Sequence, residues 1–299
     1  MLHPASDGPR PVMTDVAKPK RSNLAVRFMT AGVAAPAILW MLFWAPTWVW
    51  PTFVFVLATP IAAQELFSMT MREERGLIGF GMLSSVAVGG ALYSALVSPE
   101  MWERLPVGIV LWTIATMLVS LSRPLPNEAA GNRMAWLLAG PLYIGGTLAM
   151  LAALHRRDNG GSWVLLSMTL AWFADTAGYF AGRFLGGKVF GARKLSPYIS
   201  PNKTWEGAVG SAVGCLLAVV VAHFWYLPEL PLAGGAVLAL CSAPIGICGD
   251  LAESLIKRST GTKDSGWIVP GHGGLIDRID ALMFVATLVL VYARYFLTT

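Results

Sequence analysis

Residues 231–250 read PLAGGAVLALCSAPIGICGD, and no charged side chain precedes the final Asp250. A helix that crosses a bilayer needs about 20 predominantly apolar residues, so this stretch predicts a transmembrane helix. The rest of the chain has the same character, since it is 55% hydrophobic and 13% charged. Soluble domains carry about a quarter charged residues. The sequence therefore predicts an all-α, polytopic integral membrane protein.

Apolar segments of this kind recur along the chain and predict about nine transmembrane helices. They cover about residues 25–45, 47–67, 77–97, 106–122, 135–154, 162–182, 207–227, 231–250 and 280–297. The polar, proline-rich residues 1–23 predict a disordered, uncleaved cytoplasmic tail. We divide the remainder into N-terminal transmembrane helices over 24–160 and a C-terminal transmembrane catalytic region over 161–299.

The short loops predict the orientation of these spans, because cytoplasmic loops are enriched in lysine and arginine. Basic side chains surround the start of the first span and follow the second and fourth spans, which places the N-terminus in the cytoplasm. The polar loops after spans six and eight then face the cytoplasm together and can build one site. Arg156 and Arg157 contradict the pattern, since they would lie outside.

Charge and cysteine content exclude several functions. The net charge of +5 lies mostly in loops and in the N-terminal tail, so no basic stripe supports binding to nucleic acid. The three cysteines lie inside apolar segments at spacings that match no zinc or haem pattern, which indicates small buried side chains.

The polar stretch after Asp250 has the composition of a site. Residues 250–280 contain nine of the 39 charged side chains, with both signs interleaved. If the helix continues past Asp250, then Glu253, Ser254 and Lys257 lie along one face. The alternative is an ordinary helix end whose charged side chains reach into water. The turn PGHGG at 270–274 can direct successive backbone N–H groups at an anion. Carboxylates with lysines and arginines around such a turn suit a polyphosphate and its Mg²⁺.

The earlier polar loop, GRFLGGKVFGARKLSPYISPNKTWEG at 182–207, differs from a nucleotide-binding P-loop because Val189 stands where Ser or Thr would bind Mg²⁺. Its end concentrates hydrogen-bonding and charged groups at Ser200, Lys203, Thr204 and Glu206. Helix capping by Thr204 or Ser200 is the alternative reading. One more candidate, Asp175, lies within span six, and the alternative there is a structural hydrogen bond to another helix.

Residues 254–280, SLIKRSTGTKDSGWIVPGHGGLIDRID, closely resemble the signature of the phosphatidate cytidylyltransferases. The likeness extends over about residues 165–285, although Val269 departs slightly from the pattern and the stretch between Gly182 and Ser200 is longer than usual. That extra length leaves Lys188 and Arg193 without an assigned role. The resemblance implies that CTP and phosphatidic acid react to give CDP-diacylglycerol and pyrophosphate, in a bacterial inner membrane and with the site facing the cytoplasm.

The same resemblance implies the roles of individual residues. Mg²⁺ would bind between Asp250 and Asp277, with a second, monovalent cation such as K⁺ left open. A homodimer is also left open. Catalytic roles fall to Asp250, Lys257, Asp264 and Asp277. Substrate-binding roles fall to Asp175, Ser200, Lys203, Thr204, Glu206, Ser254, Arg258, Lys263, His272, Gly273, Gly274, Arg278 and Asp280.

Two other functions are compatible with parts of the sequence. A CTP-dependent lipid-alcohol kinase would share the membrane setting and some of the acidic and basic clustering. A transporter would line a pathway with its charged residues near the midplane of the membrane, whereas the charges of this sequence gather at one predicted face.

Overall fold

A computed structural model of the protein describes residues 24–72, 74–122, 125–191, 193–268 and 273–297. Nine long helices follow one another in these ranges. They are α1 (Leu24–Phe43), α2 (Val49–Thr70), α3 (Arg75–Val97), α4 (Leu105–Leu121), α5 (Glu128–Leu154), α6 (Gly160–Leu185), α7 (Trp205–Trp225), α8 (Leu232–Ser259) and α9 (Ile276–Tyr295). A short 3₁₀ turn, Pro99–Met101, joins α3 to α4.

Each predicted apolar segment is helical, which confirms the all-α membrane class. Six of the helices in the described ranges, α2, α3, α5, α6, α7 and α8, are long and apolar enough to cross a membrane. The apolar parts of α1 and α4 are shorter, at Gly32–Phe43 and Leu105–Leu121, and α9 carries charged side chains in its first turn. The predicted count of nine spans is therefore not confirmed.

Two helices contain π-helical turns beside a proline. Phe53–Ala58 of α2 precedes Pro60, and Leu142–Gly146 of α5 follows Pro141. Proline has no N–H to donate and its ring crowds the carbonyl one turn earlier, so a locally wider helix accommodates it. Both helices consequently continue through a residue that would otherwise end them.

Helices α6 and α7 pack together through glycines. A Cβ atom on Gly178 would collide with the Ser211 hydroxyl, and one on Gly214 would collide with the Phe173 carbonyl. Small residues allow such close approach of helix backbones in a membrane. The close contact brings the end of α6 and the start of α7 to the same end of the bundle, where α8 ends and α9 begins.

A β-hairpin outside the bundle connects α6 to α7. Strand β1 (Lys194–Ser196) pairs antiparallel with β2 (Ser200–Thr204), in the register Lys194 to Thr204 and Ser196 to Ser200. Its turn is fully exposed, since Tyr198 keeps 95% of its accessible surface. Because β2 runs directly into α7, the hairpin places Lys203 against α6 and α8.

Candidate active site

An ion pair joins the two polar loops. The Lys203 Nζ atom of β2 lies 2.6 Å from Asp250 Oδ2 of α8, and the two side chains are 21% and 33% exposed. The other carboxylate oxygen of Asp250 accepts a hydrogen bond of 3.3 Å from the Ser254 hydroxyl. This contact confirms that the loops predicted to share one site do meet.

A cleft of about 610 Å³ opens beside this ion pair, between α6, the hairpin, α7 and α8. Asp175, Arg183, Asn202, Lys203 and Asp250 supply its polar wall. Asp175 also lies within electrostatic range of Arg278, the residue after Asp277 in α9. The volume lies within the range of small-molecule sites, and charges of both signs converge there.

A second charged cluster, more buried in the protein, lies between α8 and α9. Lys257 Nζ lies 2.7 Å from Glu253 Oε2 and 2.7 Å from Asp277 Oδ1. The side chains of Glu253, Lys257 and Asp277 are 2%, 15% and 10% exposed. The helix does continue past Asp250, as the sequence suggested, so Glu253 and Lys257 are one turn apart and face α9.

The remaining oxygen of Asp277 organises the loop before α9. Asp277 Oδ2 accepts hydrogen bonds from the Ser265 backbone N–H at 2.9 Å, the Ser265 hydroxyl at 3.0 Å and the Gly274 N–H at 3.0 Å. Gly273 adopts φ +85°, a left-handed conformation that favours glycine. A Cβ on Gly274 would collide with the Ser265 hydroxyl and crowd Gly266 N. The glycines therefore allow the loop to close around one carboxylate.

Glu65 of α2 supports this loop from the N-terminal half of the chain. Its side chain is buried and accepts hydrogen bonds from Leu275 N–H at 2.9 Å, Ile276 N–H at 3.0 Å and the Ser265 hydroxyl at 3.1 Å. Ser265 thus stands between Glu65 and Asp277. Glu65 was not among the site residues predicted from the sequence, although an acidic residue within an apolar segment is a general signal of function.

Glu206 holds the loop after α6 through hydrogen bonds of the same kind. Its Oε1 atom accepts hydrogen bonds from the N–H groups of Gly187 at 2.9 Å, Phe190 at 3.0 Å and Val189 at 3.3 Å. The adjacent Thr204 caps α7, since its hydroxyl accepts from Gly207 N–H at 3.1 Å. Thr204 therefore caps the helix, as the alternative interpretation predicted. The Glu206 carboxylate is bound by backbone N–H groups of the loop.

Other predicted site residues have fewer contacts. Arg258, Lys263 and Asp264 are exposed, and their side chains make no hydrogen bond or ion pair within the described ranges. Ser200 is half-buried in β2, and the Asp280 carboxylate accepts from Ala281 N–H at 2.7 Å. His272 lies outside the described residues.

Asp250 and Asp277, the predicted metal ligands, belong to different ion-pair groups in the structure. Asp250 pairs with Lys203, whereas Asp277 pairs with Lys257. Among the residues that the structure describes, no three His, Cys, Asp or Glu side chains are grouped so that they could hold a metal ion. The protein side chains described thus supply oxygen donors but no complete cage.

Comparison with known proteins gives consistent matches over most of the chain. A sequence model of the cytidylyltransferase family matches residues 25–296. A phosphatidate cytidylyltransferase of Brucella suis is 33% identical over 287 residues, which cover 92% of this chain and 95% of that protein. Enzymes of the same name are 35% identical in Pseudomonas aeruginosa, over 68% of this chain and 74% of that one, and 32% identical in Staphylococcus epidermidis, over 79% and 86%.

Proposed function

The chain belongs to the cytidylyltransferase family, and from that premise we infer that it is a membrane-bound nucleotidyltransferase that makes CDP-diacylglycerol from CTP and phosphatidic acid. Its relatives over most of their length are named phosphatidate cytidylyltransferases. The observation in the molecule that supports this activity best is the Lys203 to Asp250 contact, because it joins two polar loops at one cleft.

The reaction needs little acid–base chemistry from the protein. The phosphate monoester of phosphatidic acid is an anion near neutral pH, since its second pKa is about 6. One of its oxygens attacks the α-phosphorus of CTP, the bond from that phosphorus to the bridging oxygen breaks, and pyrophosphate leaves with the electron pair. Catalysis then consists of alignment and charge neutralisation.

The side chains of the cleft can perform both tasks. Lys203 and Arg183 lie on its wall and bring positive charge to bound phosphates. Arg258 and Lys263 are exposed on the segment that follows Asp250, and we propose that they contact the same phosphates. In our proposal Glu253, Lys257 and Glu65 do not touch the substrates and act through the Asp277 carboxylate and the loop that they hold.

Mg²⁺ is part of the proposal, with Asp250 and Asp277 as its protein ligands. Mg²⁺ sites in phosphate-handling enzymes commonly use one or two carboxylates and complete the shell with water and substrate phosphate, which agrees with the incomplete donor set. Asp250 fits this role on the cleft wall, with Asp175 beside it. Asp277 could contribute once Lys257 withdraws from its Oδ1 atom. The bound ion would neutralise triphosphate charge, and a second, monovalent cation such as K⁺ belongs to the same proposal.

Labelled CTP tests the activity. Purified protein in mixed micelles with phosphatidic acid and a lipid alcohol is incubated with CTP carrying the label at the α or the γ position. A cytidylyltransferase transfers the α label to lipid and releases the γ label in pyrophosphate. Transfer of the γ label to lipid would instead indicate a kinase and refute the proposal.

We also propose that the N-terminus and the cleft face the cytoplasm of a bacterial inner membrane, where CTP is made. Single cysteines at Ser196 and Ser259, in a background without Cys215, Cys241 and Cys248, should resist an impermeant thiol reagent until cells are opened. A cysteine at the exposed Pro228, between α7 and α8, should react in intact cells. Labelling of Ser196 and Ser259 variants from opposite sides would contradict the proposed arrangement.

A further inference from the structure

A second cavity lies at the other end of the helix bundle from the cleft. Its volume is about 440 Å³, and its lining includes Arg156, Arg157 and Arg294. Arg294 lies in the last turn of α9, whereas Asp277 lies in the first. At 1.5 Å per residue the two positions are about 25 Å apart, close to the roughly 30 Å thickness of the bilayer's hydrocarbon core. The cavity therefore faces the opposite membrane surface.

The three arginines have no acidic partner in the part of the chain that the structure describes. Arg156 donates to the Thr47 hydroxyl at 3.0 Å, and Arg294 donates to the Leu96 carbonyl at 3.1 Å. The Nε atom of Arg157 is buried without a hydrogen-bond partner. Three positive charges thus line one cavity, and none of the described residues around it carries a carboxylate.

This arrangement favours an anionic ligand. Like charges around a shared space repel each other, and a buried donor without a partner carries a desolvation cost. The guanidinium group offers several N–H donors in a planar fork that matches phosphate oxygens. One phosphate anion in the cavity would relieve the repulsion among the three guanidinium groups.

Apolar side chains complete the wall of the cavity. Leu96, Val97 and Leu290 line it together with Ala153. Basic pockets between transmembrane helices are suited to lipid head groups, because the charges meet the phosphate while the adjacent surface accepts apolar atoms. We propose that this cavity binds the phosphate group of an anionic glycerophospholipid in the membrane leaflet opposite the cleft.

The proposal also gives a reason for an anomaly in the sequence. Arg156 and Arg157 oppose the loop-charge pattern that predicted the orientation of the spans. If this pair of arginines binds an anion, its position at that surface is explained by ligand binding and not by the orientation of the spans. None of the residues that line this cavity lines the cleft. The proposed lipid site is therefore independent of the proposed cytidylyltransferase activity.

Thermal unfolding with added ligands tests the site. The full-length protein in zwitterionic micelles is titrated with phosphatidylglycerol, phosphatidylcholine or inorganic phosphate, and retained lipid is identified by native mass spectrometry. We expect saturable stabilisation and retention with phosphatidylglycerol. The variant Arg157→Gln/Arg294→Gln should weaken the apparent affinity at least about ten-fold, since charged hydrogen bonds are the strong ones. Arg157→Lys, which keeps the charge but loses the fork, tests the same point if the double variant folds poorly.

Arg104→Gln is the matched control. Arg104 is an exposed arginine just before α4. It follows the cavity residues Leu96 and Val97 by a few positions but does not line the cavity. It should change the affinity less than two-fold, as expected of a surface substitution. Stabilisation by inorganic phosphate alone that depends on Arg157 would keep the anion site but assign it to free phosphate, against a lipid ligand. Equal effects of both lipids, or equal weakening by Arg104→Gln, would overturn the proposal.

Discussion

The ion pair between Lys203 and Asp250 and the one between Lys257 and Asp277 have almost the same length, 2.6 and 2.7 Å, but they lie in different surroundings. Asp250 is 33% exposed at the cleft, whereas Asp277 is 10% exposed and shares its lysine with the buried Glu253. An exposed pair contributes about 0–1 kcal/mol and is easily exchanged for another partner. Removal of one member of a buried group leaves an uncompensated charge and costs far more.

The difference indicates separate tasks for the two ion pairs. The Lys203 pair can open at little cost when a phosphate or a cation arrives, so its members are free to bind ligand. The Lys257 group also holds Asp277, whose other oxygen fixes Ser265 and Gly274. We therefore expect substitutions at the first pair to change turnover and substitutions at the second to change stability as well.

Lys257→Met should have the largest effect on stability. Methionine preserves much of the apolar stem but leaves Glu253 and Asp277 facing each other without a cation. We expect a loss of about 3–5 kcal/mol in the free energy of unfolding, measured by denaturant titration in mixed micelles. A loss below about 1 kcal/mol would show that the buried group behaves like an exposed pair and would break the comparison.

Glu65→Gln should have an intermediate effect. Two of the carboxylate's partners are backbone N–H groups, and an amide can offer only one oxygen to them. We expect a loss of about 1–3 kcal/mol, because a buried donor is left unsatisfied, together with slower turnover. The exposed Glu103→Gln is the control and should stay within about 0.5 kcal/mol of the unsubstituted protein. Unchanged stability and turnover for Glu65→Gln would remove its positioning role.

Lys203→Met should have the smallest effect on stability and a large one on activity. It is the same substitution as Lys257→Met, made in the less buried pair. The two lysines are similarly buried, so the variants differ chiefly in the burial of the carboxylates left without a cation. We expect a stability change of at most about 1 kcal/mol and a fall in kcat of roughly 100-fold, if Lys203 stabilises charge in the transition state. Normal turnover would show that the cleft beside Asp250 is not where the reaction occurs.

Much of this architecture could be predicted from the sequence. Apolar runs identified every long helix, because burial in lipid imposes a strong compositional constraint. The bounds were less accurate where helices continue beyond the apolar stretch. Helix α8 reaches Ser259 instead of Asp250, since Leu255 and Ile256 keep the helical segment partly apolar among its charges. The meeting of the two polar loops was also predicted, although the hairpin between α6 and α7 was not.

Glu65 could have been identified as unusual, but its partners could not. The rule that singled out Asp175 within an apolar segment applies equally to Glu65. Its hydrogen bonds, however, go mostly to backbone N–H groups of residues 275 and 276, and backbone donors have no residue-specific signature. The same reason hid the partners of Glu206, whose Oε1 atom is engaged by three N–H groups of an irregular loop.

The large sequence separation between Glu65 and its hydrogen-bond partners has a consequence for folding during synthesis. Leu275 and Ile276 follow it by 210 and 211 positions, and synthesis at about 5–20 residues per second would take roughly 10–40 s to supply them. During that interval the newly inserted α2 carries a carboxylate whose final partners do not yet exist. The acid lies near the end of α2, at residue 65 of a helix that closes at Thr70, so it can remain hydrated at the membrane surface. Its burial then requires α9 and the loop before it. Packing of the N-terminal half is therefore complete only after the C-terminal helix has been synthesised.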